Sequence, residues 1–185
     1  KKGSLETNSR VAELIKGREA ELKAFFDPSA HANVPGKPQL WVKEIVGALK
    51  RDAIVSVGAG LYARFAGRVP TFAPGSYLKS LGLGALGWAF PAAMGAKLGQ
   101  PSRQVVCMLG DGDFLTVMQD LLTAVRERIA IAVVVFNDRG YGSIRELQKK
   151  DFGGRVVGSD YATPAFDEMS RVMGALGFRA GRPEE

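Results

Sequence analysis

The sequence predicts an α/β fold: a doubly wound parallel sheet preceded by an N-terminal helical arm. Three observations carry that expectation. Between Val105 and Gly142 an apolar run, VVCML, passes through a glycine turn into FLTVMQDLLTAVRERI, which has helical spacing, and then into a second apolar run, IAVVVF. Strand, helix and strand of this length make a βαβ unit whose strands lie parallel with the helix packed on the sheet. A further strand, within AIVSVGAG, ends in the turn Gly58-Ala59-Gly60, and 185 residues with 46% hydrophobic content suffice for one α/β core plus an appendage.

In chain order, KKGS has no initiating Met and reads as a tag remnant or the cut edge of something longer, so it is set aside. Ser9 is placed to cap a helix running to about Phe26, with Val11, Leu14, Ile15, Leu22, Phe25 and Phe26 on one face. That stripe needs a surface to pack on. Residues 27–39, DPSAHANVPGKPQ, form a Pro/Gly/polar linker, and its His31, the single histidine, reads as solvated because no orienting carboxylate stands nearby. The expected division is therefore a leading segment, 1–39, carried over from a preceding domain, and a binding domain, 40–185, cut short at its C-terminus.

Leu40, Trp41, Ile45, Val46 and Leu49 predict an amphipathic helix from Leu40 to Arg51, ahead of the strand that ends at Gly58. Tyr62, Arg64 and Phe65 open a helix, and Val69 to Gly75 is a proline-marked connection. In residues 80–99, Gly82, Gly84 and Gly87 satisfy GxGxxG, so a nicotinamide-binding Rossmann domain is a competing reading. Two features count against it: PGSYLKSL, which precedes the glycines, does not read as a β-branched strand, and the acidic residue of the next strand end, Asp111, lies between two glycines. A helix starts near Trp88, with Pro91 tolerated in its first turn.

Parallel strands bring their carboxyl ends to one edge of the sheet, where ligands of open α/β sheets bind. Asp111 after one strand and Asp138 after the next therefore meet there, although far apart in the chain. Two carboxylates with carbonyls from the turn Asp138-Arg139-Gly140 suit a hard cation such as Mg²⁺, which takes its remaining ligands from phosphates and water. Gly110 and Gly112 let backbone approach an anion, and a helix beginning near Phe114 offers free N–H groups. The pattern alone leaves a second reading open, a surface turn that happens to hold Asp and Gly. Beyond it, Tyr141 to Lys150 should be a helix, residues 150–164 a polar loop, and AFDEMSRVMGALGF a helix with Phe166, Met169, Val172, Met173 and Leu176 inward.

GDGDF, QDLLTAV, VVVFND and YGSIRELQ resemble the thiamine diphosphate motif, a Gly-Asp-Gly followed further on by Asn-Asn, as it stands in the acetolactate synthase branch of that superfamily. GALGWAFPAAMGA resembles the same family's glycine turn, and the likeness runs from about Pro38 to Ala180. It implies the diphosphate-binding type of domain, with Asp111, Asp138 and the Gly140 carbonyl holding Mg²⁺. Cofactor contacts are implied from Gly58, Ala59, Gly60, Gly84, Ala85, Leu86, Gly110, Gly112, Asp113, Tyr141 and Gly142 as well. Leu86 falls where the family places the residue that wedges between the two rings of thiamine, keeping it bent. Asp138 replaces the second Asn of the motif and adds a negative charge beside the diphosphate. Asp113 is expected to act through its backbone and as a helix cap. The segment after Lys150 is similar to part of a substrate entrance.

The activity the resemblance implies is thiamine-diphosphate- and Mg²⁺-dependent decarboxylation and carboligation of 2-oxo acids, with a simple 2-oxo acid decarboxylase of the benzoylformate or pyruvate type as the runner-up. In this family the glutamate that protonates the aminopyrimidine lies in a separate pyrimidine-binding domain of the same or a neighbouring chain. No catalytic residue is expected within these 185 residues, and the chain should be inactive alone. The resemblance further implies a dimer or tetramer, and FAD on the middle domain of some members.

Composition narrows the field. The net charge is +6 with a sequence pI near 9.6, but Lys and Arg are scattered, with no basic run interleaved with aromatics, so a nucleic-acid partner is not expected. Cys107 sits in an apolar strand and leaves no disulfide framework. No stretch has the length and apolarity of a membrane span or the form of a secretory signal, so the expected location is the cytoplasm.

Overall fold

The computed structural model describes residues 9–27, 37–68 and 73–182. The elements are α1 (Ser9–Phe25), α2 (Pro38–Gly47), β1 (Ile54–Val57), α3 (Leu61–Ala66), β2 (Tyr77–Lys79), α4 (Ala89–Gly99), β3 (Val105–Gly110), α5 (Asp111–Leu115), α6 (Asp120–Arg126), β4 (Ala132–Phe136), α7 (Gly142–Asp151) and α8 (Phe166–Val172). The strands form one sheet in the order β2-β1-β3-β4, every pair parallel. The expected α/β class with a parallel sheet is what is found.

Side chains alternate across a strand, and here each face has its own core. Ile54, Val105, Cys107 and Leu109 point to one side, against Phe90 and Ala93 of α4, Phe114 of α5 and Leu121 and Ala124 of α6. Val55, Val57, Val106 and Met108 point to the other, against Val42 of α2 and Tyr62, Ala63 and Ala66 of α3. Helices on both faces explain why β1 and β3 read as continuous apolar runs rather than alternating ones. Ser56, fully buried in β1, is satisfied by donating to the Ala89 carbonyl at 2.8 Å, which ties the strand to the first turn of α4.

Several boundaries differ from expectation. α2 begins at Pro38, which occupies a first-turn position, and ends at Gly47. The single helix expected from Phe114 is two short ones, beginning already at Asp111. At the break the backbone bonds tighten to the i−3 carbonyl, with Thr116 N donating to Asp113 O at 3.3 Å and Val117 N to Phe114 O at 2.9 Å, and Thr116 Oγ1 also donating to Asp113 O at 2.7 Å. PGSYLKSL does hold a strand, β2, short and at the edge, so the first of the two arguments against a dinucleotide loop fails.

α8 stops at Val172 because the chain makes a full C-terminal turn. Gly174 adopts φ +87, its N–H donates to Arg171 O, and Ala175 N–H donates to Ser170 O. Phe166, Met169 and Met173 pack on the core as expected, but Val172 is 89% and Leu176 86% exposed, since the helix ends before its stripe does. α1 reaches the domain through Phe25, whose ring lies 5.4 Å from Phe65 with the Arg68 guanidinium 4.8 Å above it. Leu14 and Ile15 stay in solvent. The Ser9 side chain, the linker 28–36 and His31 lie outside the described residues, as does KKGS.

Candidate diphosphate and metal site

β2 lies on one side of β1 and β3 on the other, so the strand order reverses between β1 and β3, where open α/β sheets hold their ligands. The turns after β1, β3 and β4 all open on this edge. The β3 turn begins with Asp111, 1% exposed. Its Oδ1 accepts the Gly112 amide at 2.8 Å and the Tyr161 hydroxyl at 3.2 Å, and its Oδ2 accepts the Gly140 amide at 3.0 Å. One carboxylate thus joins the β3 and β4 turns and the loop after α7.

Asp138 follows β4 and stands near enough to interact with Asp111. Burial first, and then the charge of Asp111, push its carboxyl above the ordinary value, while Arg145 works the other way. Arg145 is engaged elsewhere, its Nε 2.7 Å from Asp160 Oδ1 and its Nη2 donating to the Asp138 carbonyl at 3.3 Å. The turn between Asp138 and Gly140 is sharp. Arg139 takes the left-handed φ +56, and Asn137 Oδ1 accepts its amide at 3.2 Å. The Gly140 carbonyl accepts the Gly142 amide at 3.0 Å and keeps a second lone pair.

Side-chain-free positions line this turn. A Cβ at Gly112 would strike the Tyr161 hydroxyl and the Tyr141 ring, one at Gly140 the Arg145 head and Ser159 carbonyl, and one at Gly142 the Asp138 carboxylate. Tyr141 and Tyr161 pack edge to face at 5.0 Å. The Tyr161 hydroxyl is held protonated well above its ordinary range by burial and by Asp111, so it remains a donor.

A second carboxylate does what the sequence did not disclose. Asp113, 2% exposed, makes no helix-capping bond. Its Oδ2 accepts the Ala59 amide at 3.0 Å and the Tyr62 hydroxyl at 3.2 Å, and its Oδ1 accepts the Gly87 amide at 2.5 Å. The expected helix cap is therefore not made, and the side chain instead joins two other turns. Gly58 has to be glycine because a Cβ there would overlap Asp113 Oδ2. The only hint in the sequence was a second Asp in GDGDF directly before an apolar residue.

The expected contacts of the remaining loops fall as follows. Gly58, Ala59 and Gly60 form the turn between β1 and α3. Gly82, Gly84 and Gly87 all adopt positive φ, so the segment between β2 and α4 is a chain of left-handed turns. Ala85 and Leu86 are at its exposed crest, Leu86 43% exposed, and Trp88 is 36% exposed at its end. Cys107 is fully buried in β3, with its thiol pushed up by burial and then by Asp113. Among the described residues no three His, Cys, Asp or Glu side chains cluster as a metal site, and no helix is long and apolar enough to cross a membrane.

Comparison with known proteins identifies the family of the chain. Residues 58–185 match the family model described as thiamine pyrophosphate enzyme, C-terminal TPP binding domain. The chain is 32% identical to the acetolactate synthase large subunit of Corynebacterium glutamicum over all of its own length and 30% of that protein's. It is 28% identical to the probable acetolactate synthase large subunit of Methanococcus aeolicus, covering 100% of the chain and 32% of the relative. Over 80% of the chain and 25% of the relative it is 31% identical to the sulfoacetaldehyde acetyltransferase of Castellaniella defragrans. It spans about a third or less of these relatives' length. The chain belongs to the thiamine pyrophosphate enzymes, as a C-terminal TPP-binding domain of the acetolactate-synthase-like kind.

Proposed function

We propose that this chain supplies the diphosphate- and Mg²⁺-binding half of an active site for decarboxylation and carboligation of 2-oxo acids, in the manner of an acetolactate synthase. The observation that carries the proposal is the meeting of Asp111 and Asp138 at the carboxyl ends of β3 and β4, within a chain whose residues 58–185 match the thiamine pyrophosphate family. The donor set suits a hard cation: a buried carboxylate, Asp111, acting on Asp138 across the turn, with oxygen as the sole ligating element. Arg145, the nearby base, is shared between Asp160 and the Asp138 turn. A divalent ion is the charge that such a pair lacks.

In this reading Asp111, Asp138 and the Gly140 carbonyl hold Mg²⁺. Gly110, Gly112, Tyr141 and Gly142 present backbone to the diphosphate, where the absence of side chains at the glycines permits close approach. Gly58, Ala59 and Gly60 line one flank, and Gly84, Ala85 and Leu86 lie against thiamine on the other. When bound, thiamine diphosphate supplies the carbon nucleophile and the electron sink for loss of carbon dioxide. The residues here orient it, neutralise its charge and position its rings. The proton-transferring glutamate comes from a pyrimidine-binding domain of the same or a second chain, and the whole enzyme is a homo-oligomer.

Isothermal titration tests the binding step. Thiamine diphosphate should bind in the presence of Mg²⁺ and be released by EDTA, while NADH gives no heat. Binding of NADH, or uptake of thiamine diphosphate indifferent to Mg²⁺, overturns the reading. Product analysis with pyruvate on the enzyme carrying its pyrimidine-binding domain separates carboligation from simple decarboxylation.

A further inference from the structure

A carboxylate buried beside a diphosphate site is an unfavourable neighbour for an anion, and Asp113 is one. Both of its oxygens are nonetheless engaged. Three donors converge on it from three separate segments: Ala59 N from the β1 turn, Gly87 N from the loop between β2 and α4, and the Tyr62 hydroxyl from α3. The Tyr62 ring is fixed in turn by stacking on Phe136 of β4 at 4.9 Å, the planes 3° apart. Burial and the charge of Asp113 hold its phenol protonated, so it stays a donor. Gly58 and Gly87 leave the room this requires. A Cβ on Gly58 would overlap Asp113 Oδ2, and one on Gly87 would strike Thr116 and Val117, the residues of the break after α5.

The geometry points to Asp113 as a positioning residue that latches the β1 turn and the glycine loop bearing Leu86 onto the β3 turn, taking the Ala59 and Gly87 amides for itself and so withholding them from the cofactor. It rests on the thiamine diphosphate reading of the site and corrects it in one respect: the β1 turn contributes shape and not an Ala59 amide. Hydrogen bonds to a charged acceptor are the strong ones, so losing them frees the loop while the carboxylates that face the metal stay where they are.

The test uses Asp113→Asn, nearly isosteric, with Tyr62→Phe as a milder second variant that removes one donor and no charge. Without cofactor, hydrogen exchange at the Ala59 and Gly87 amides should quicken by about tenfold or more in Asp113→Asn, with protection in β3 unchanged. With Mg²⁺, binding of thiamine diphosphate should weaken by about tenfold, whereas inorganic diphosphate, which has no rings for Leu86 to meet, should change by less than about threefold. Equal weakening of both ligands together with loss of protection throughout the sheet would reduce Asp113 to a general stabilising role and overturn the inference. Tighter binding of either ligand would overturn it in the other direction, showing that the carboxylate competes with the diphosphate. If the wild-type protein takes up no thiamine diphosphate, the functional reading fails, and the exchange measurement still decides the latch.

Discussion

Asp111 Oδ2 accepts the amide of Gly140 at 3.0 Å, so the turn after β3 and the turn after β4 are fixed to each other by a single buried carboxylate. Asp111→Asn keeps the shape but turns an amide NH₂ toward one of the donors that Asp111 now accepts. The folded state should lose about 1–3 kcal/mol in urea denaturation. On the proposed metal assignment, Mg²⁺-dependent uptake of thiamine diphosphate should fall by at least about tenfold in calorimetry, because one carboxylate charge is gone. Unchanged uptake would sink the metal assignment.

Tyr161 donates to the other oxygen of the same carboxylate at 3.2 Å from a loop that packs over the turn. Removing the hydroxyl in Tyr161→Phe should cost about 0.5–1.5 kcal/mol of stability, the ordinary worth of one hydrogen bond. The contact with the Tyr141 ring remains, so chymotrypsin cleavage of the loop should be no faster than in the wild type.

Alkaline pH should destabilise the protein in steps. Cys107 and Tyr62 have their pKa values raised in the folded state, by burial first and by Asp113 second, above ordinary values of 9.0 and 10.0. Each group stays protonated when folded and ionises when unfolded, so the unfolded state gains as pH rises through the unfolded value. The contribution of Cys107 is whole below its ordinary value of 9.0 and that of Tyr62 below 10.0, and each should then fall by about 1.4 kcal/mol per pH unit. Thermal melting of Cys107→Ala, whose baseline is lower, should lack the earlier step between pH 9 and 10.

Gly58→Ala places a methyl group on Asp113 Oδ2, inside a region with no flexible chain end to yield. Overpacking of this kind costs about 1–3 kcal/mol. The substitution should lower the melting temperature, whereas Gly95→Ala, where nothing lies within 4 Å of the added carbon, should not.

Leu86 is 43% exposed and contributes little to the core. Leu86→Ala should therefore leave stability within about 1 kcal/mol and weaken thiamine diphosphate by several-fold while leaving inorganic diphosphate untouched. A large drop in stability with no change in affinity would assign Leu86 to packing instead.

Much of this arrangement was legible in the residues. Apolar runs at 105–110 and 132–136 with a helical pattern between them imply parallel strands, and parallel strands bring Asp111 and Asp138 to one rim. What was not legible has physical causes. β2 is three residues long, too short to show a period, and PGSYLKSL lacks β-branched side chains. The helix break at Thr116 lies against Gly87, a residue distant in sequence, and local propensity does not report that proximity. The terminal turn at Gly174 truncates an apolar stripe whose periodicity continues to Leu176. Asp113 looked like a helix-start residue because Asp is common there, and its true partners come from two other loops.

Trp88 closes the glycine loop at the ligand edge, and Trp41 lies half-buried on α2, on the far side of the sheet. With only these two indoles in the chain, the fluorophores are already sorted by location. Trp41→Phe would leave a lone emitter beside the crest, so its colour and its quenching by iodide would follow the loop's state during a titration without any attached dye.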